Sequence, residues 1–168
     1  MTSHSILSRT ILAGALATMF ASAAGTPTTS TESHMNQTAT GPFDVKLNSL
    51  EAYNTDESAR LGRMSIDKQF HGDLDATSKG EMLSTGVPGP KGSGAYVAIE
   101  RVTGTLHGKR GSFVLVHNAT MTQGVPYLNI IVAPGSGTGE LVGLSGLMKI
   151  DIAPGGKHSY TFDYTLAP

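Results

Sequence analysis

Residues 95–121, AYVAIERVTGTLHGKRGSFVLVHNATM, constrain the fold most, because they carry their own pairing instructions. They read as two strands joined at His107-Gly108-Lys109-Arg110, where Gly108 supplies the positive φ that a tight hairpin turn needs. A loop of two or of four residues centred there gives the same expected register. Tyr96 then stands opposite Met121, Ala98 opposite Ala119, Glu100 opposite His117, Val102 opposite Leu115 and Gly104 opposite Phe113. Four of these pairs suit an apolar face, with the Phe113 ring lying over the bare backbone of Gly104. The remaining pair, Glu100 with His117, is ionisable, and it is the best lead on chemistry in the chain.

The chain has 168 residues, the size of one domain large enough to bury a core. Residues 1–24 have the three parts of an export signal: Arg9, an apolar run over 11–20, and the small pattern Ala21-Ser22-Ala23 at a cleavage site. Residues 25–37 are polar and aperiodic, a disordered leader to a domain over 38–168. The expectation is therefore a secreted or periplasmic protein, whereas a start at Met35 would leave a cytoplasmic form. Cysteine is absent, which excludes disulfides, thiolate metal sites and a cysteine nucleophile. Removing the signal leaves 11 basic residues against 13 acidic, a formal −2. That balance gives no electrostatic case for nucleic acid or, once the signal is cleaved, for a membrane surface.

From Gly41 onward the apolar pattern has period two. Phe43, Val45 and Leu47 alternate with polar residues. Residues 61–71 place Met64, Ile66, Lys68 and Phe70 on one face, so a lysine falls among apolar neighbours. A weaker strand over 74–86 leads to a loop over 87–94 that holds two prolines and three glycines. After the central hairpin, strands are expected over 127–133, 147–152 and 158–166, with a glycine-rich loop over 134–146. Eight sequential strands with short connections point to an all-β, eight-stranded antiparallel up-and-down barrel, since closure removes exposed edges. A two-sheet sandwich is the alternative.

The block Leu61-Gly62-Arg63, Lys68, Phe70-His71-Gly72-Asp73-Leu74, then Tyr96-Val97-Ala98-Ile99-Glu100, Gly104-Thr105-Leu106, Gly111-Ser112-Phe113, His117 and Gly135-Ser136-Gly137-Thr138-Gly139-Glu140-Leu141 resembles a bacterial family of unknown function, DUF3224. Gly137-Thr138-Gly139, Leu141 and Gly146 also resemble an element of allene oxide cyclase and dirigent barrels. The resemblance covers about residues 38–166 and implies an allene oxide cyclase-like barrel with an axial cavity. It carries no activity with it, because fold alone does not fix chemistry.

Glu100 and His117, facing one another inside a barrel, would form a carboxylate-oriented imidazole able to move a proton; the bland reading is a buried pair that satisfies itself. Lys68 would neutralise Glu100 or bind an anionic group, and Tyr96 would donate a hydrogen bond to a ligand or simply pack. Gly135, Gly137 and Gly139 lack the helix that a dinucleotide fingerprint requires. Pro134 stands where a nucleophile elbow on Ser136 would need glycine. His71, His107, His117 and His158 show no metal-ligand spacing, so no metal and no cofactor are expected. The expectation is a protein binding a small, largely apolar or amphipathic ligand through Lys68, Tyr96, Glu100 and His117. The alternatives are an isomerase or cyclase using Glu100 and His117 for proton transfer, and a structural domain without a ligand. A homo-oligomer is compatible with each.

Overall fold

The computed structural model describes residues 36–87 and 91–167. The expected signal, almost all of the expected leader and residues 88–90 of the expected loop lie outside them. Eight long strands account for nearly all of the described chain: β1 (Gln37–Leu50), β2 (Leu61–Phe70), β3 (Leu74–Val87), β4 (Ser93–Leu106), β5 (Lys109–Thr122), β6 (Val125–Val132), β8 (Leu144–Ile152) and β9 (His158–Leu166). A two-residue strand, β7 (Thr138–Gly139), sits within the connection from β6 to β8. One short 3-10 turn, Glu57–Ala59, is capped by Asp56, whose carboxylate accepts from Ser58 N–H at 2.9 Å.

Each long strand pairs antiparallel with its neighbours, and β4 with β5 and β1 with β9 complete the ring. The fold is thus a closed eight-stranded barrel, not a sandwich, and the allene oxide cyclase-like label fits it. The ladders are unequal. β3 and β4 pair over their full lengths, whereas β6 meets β8 only at Ile130 with Met148 and Ile131 with Leu147.

The hairpin register differs from expectation. His107 and Gly108 both have positive φ, 46° and 79°, so the turn is a primed two-residue turn and Leu106 pairs with Lys109. The expectation of a turn centred on Gly108-Lys109 rested on glycine as the natural host of positive φ, but His107 takes it too. Every partner therefore moves by two residues. Tyr96 stands opposite Ala119, Ala98 opposite His117, Glu100 opposite Leu115, Val102 opposite Phe113, and Gly104 opposite Gly111. Because side chains alternate with period two, a slip of two keeps every residue on its expected face.

Inward residues stack in layers around the barrel. From the β1 start upward the lower layers are bulky: Phe70, Leu74, Val102, Leu106, Phe113, Leu115, Phe162 and Tyr164 are buried together. Phe113 stacks on Phe162 with centroids 5.7 Å apart. The Tyr160 hydroxyl accepts from Leu74 N–H at 2.8 Å and lies 3.0 Å from the His71 carbonyl, tying the β2–β3 turn to β9. The glycine-rich loop closes this lower end by burying Leu141; Glu140 N–H donates to the Arg110 carbonyl, and Arg110 N–H donates to Glu140. The loop is held at this end because β7 pairs with Gly111 and Ser112 at the start of β5.

Candidate functional site

Four inward positions from three successive layers bring the polar side chains together. Lys68 pairs directly with Ser78 across β2 and β3, Glu100 stands opposite Gly80 on β3, and His117 stands opposite Ala98 on β4. Although Glu100 and His117 are diagonal rather than facing, small Ala98 leaves room for the imidazole to reach along the barrel. His117 Nε2 lies 2.9 Å from Glu100 Oε1. Lys68 Nζ donates to the same oxygen at 2.5 Å, and Ser78 Oγ donates to Oε2 at 2.7 Å.

The cluster is sealed. Glu100 is 0% exposed, His117 1% and Lys68 5%. Among the described residues no buried side-chain nitrogen or oxygen lacks a hydrogen-bond partner. The Lys68 ammonium also lies 5.4 Å from the Phe43 ring centroid and 5.6 Å from that of Phe70, within reach of both faces. Burial pushes the Glu100 carboxyl up, but the His117 hydrogen bond, the charges of Lys68 and His117 and the Lys68 hydrogen bond together hold it at about 2. Gly80 is what lets β4 approach. A Cβ there would stand 2.3 Å from the Ile99 carbonyl oxygen and 2.6 Å from Glu100 Cβ.

Above the cluster the barrel opens. A cavity of about 810 Å³ is lined by residues including Met82, Ser84, Tyr96, Ala119, Met121 and Leu128. The sequence explains the space: inward positions that carry Phe and Leu below carry Gly62, Ser84, Gly94 and Ala119 here, together with flexible methionines. Of the expected site residues, Tyr96 stands on the cavity wall; Lys68, Glu100 and His117 lie beneath it and do not line it. Burial, then the charge of Glu100, raises the Tyr96 phenol above its ordinary value, so it remains a donor at neutral pH.

Sequence reasoning placed Ala119 on the inward face but missed Ser78, Met82 and Ser84. Their signal was present, since Leu74, Ala76, Ser78, Met82 and Ser84 share one alternation. Small hydroxyls and methionine carry little hydrophobic contrast, so the face went unnoticed. Among the described residues no group of three or more His, Asp or Glu could hold a metal ion.

The comparisons agree with this architecture. The family model described as a protein of unknown function, DUF3224, matches residues 39–164. The chain belongs to the DUF3224 family. A crystal structure of a DUF3224 protein of unknown function from Shewanella oneidensis MR-1 is similar, with 49% identity and a TM-score of 0.74, covering 80% of this chain and 99% of that one. No curated protein matches. DUF3224 membership thus places the barrel in a family without an assigned activity.

Proposed function

We propose that this DUF3224 barrel binds a small, largely apolar molecule in its open half. The observation that carries the reading is the cavity of about 810 Å³, walled by methionines, small residues and Tyr96 above a sealed floor. That volume lies within the range of about 300–1,000 Å³ typical of small-molecule sites, which are mostly apolar with a few placed polar groups. The cluster below supports binding over proton transfer. A general base works best with a pKa near the working pH, and Glu100 is held at about 2 with both carboxylate oxygens occupied. Lys68, Glu100 and His117 then act by fixing the shape and polarity of the floor, and Tyr96 touches the ligand. Export through residues 1–24 belongs to the same proposal, and intact-mass analysis of cell-free medium or periplasm should find a chain cleaved near Ala23.

The test is binding of an environment-sensitive apolar dye to the wild-type domain and to Met82→Trp, which fills the cavity. Saturable dye enhancement with wild type that is lost in a folded Met82→Trp supports the reading. Equal behaviour of the two proteins contradicts it.

A further inference from the structure

We infer that the ligand carries an uncharged oxygen, such as a ketone or ester carbonyl, gripped jointly by the hydroxyls of Tyr96 and Ser84; this rests on the cavity reading above. Ser84 and Tyr96 are direct partners across β3 and β4, both face inward and both line the cavity. Neither hydroxyl has a hydrogen-bond partner among the described residues, whereas the buried polar groups of the cluster below are all paired. Gly62, the inward residue facing Ser84 on β2, leaves room for the Ser84 hydroxyl: a Cβ at position 62 would lie 2.8 Å from Ser84 Oγ. Two hydroxyls at directly paired positions on a largely apolar wall match one acceptor oxygen with two lone pairs.

The floor argues against a charged head group. An anion buried there would need a cation, but Lys68 is committed to Glu100 and to two aromatic faces. A cation would need a carboxylate, but both oxygens of Glu100 already accept hydrogen bonds. Burying an unpaired charge is far costlier than burying a carbonyl that gains hydrogen bonds. Among the described residues the one charged side chain lining the cavity is that of Arg60, which is exposed at the rim, where ion pairs contribute little.

The experiment compares displacement of the apolar dye by an alkane, a methyl ketone, a carboxylate and an amine of equal chain length. The ketone is expected to bind about tenfold more tightly than the alkane, the equivalent of roughly one or two net hydrogen bonds. Tyr96→Phe combined with Ser84→Ala should abolish the ketone's advantage over the alkane. Equal binding of ketone and alkane to wild type, a preference that survives both substitutions, or tightest binding by the carboxylate or amine would overturn the inference while leaving the cavity reading intact. Failure of all four compounds and of the dye to bind would overturn both.

Discussion

A carboxylate that accepts from an ammonium, an imidazole and a hydroxyl at zero exposure ionises more readily than one in water, and Glu100 is held at about 2 against an ordinary 4.5. Because the folded value is the lower one, this group's stabilisation is fully present above about pH 4.5 and is lost as pH falls toward 2. The gap corresponds to roughly 3 kcal/mol, so urea midpoints should drop steeply across that window. In Glu100→Gln that acid-dependent component should vanish; an unchanged pH profile would refute the assignment. Glu100→Ala should cost about 3–5 kcal/mol by stranding Lys68, and Glu100→Gln less, since its amide oxygen still accepts. With His117→Ala, Glu100→Ala should be non-additive by at least about 0.5 kcal/mol in a double-mutant cycle. Additive, mild effects would deny the contact. The ionisable pair was legible from alternation alone, because a two-residue register slip leaves faces unchanged. The third and fourth members were less so: Lys68 stood out as a charge on an apolar face, but its bond to Glu100 depends on β2–β3–β4 registers that no single strand pattern encodes.

The elements differ in how firmly they are held. Fourteen-residue strands β3 and β4 pair throughout, while β6 and β8 share two residue pairs, so the seam between these last two is the weakest in the ring. Hydrogen exchange should therefore reach the amides of Leu144–Ile152 on the β6 side before those of β4, and the opposite order would contradict the topology. Strand positions were readable from period two, yet β8 begins at Leu144 rather than at 147, and β1 at Gln37 rather than near 41. Glycines at 143 and 146 and the polar run before Gly41 hide those ends, since pairing with β9 rather than residue preference makes them strands. The hairpin shows the same limit. His107 occupies positive φ with Nδ1 2.7 Å from the Tyr164 hydroxyl and Nε2 3.6 Å from Asp73, partners that lie on β9 and in the β2–β3 turn. Gly80→Ala, placed against the backbone of β4, should cost at least the upper part of the roughly 1–3 kcal/mol range of overpacking, measured by urea unfolding.

At the scale of the molecule, one barrel is divided into a packed lower half and an open upper half by a layer of paired charges. The lower half supplies the buried aromatic and aliphatic surface that stabilises the fold. The upper half gives up packing at Gly62, Ser84, Gly94 and Ala119, and a cavity remains where side chains could have filled the space. Exposed apolar groups around it, Leu61, Met121, Tyr127 and Leu128 among them, leave its mouth accessible to a lipophilic molecule. Native mass spectrometry of wild type and Met82→Trp, purified from the protein's own cells without detergent, tests this division most directly. Wild type should carry a small apolar adduct, released on gentle activation and recovered in an organic extract, and Met82→Trp should carry none. Bare protein masses for both, with no apolar compound in either extract and no dye uptake by wild type, would contradict it.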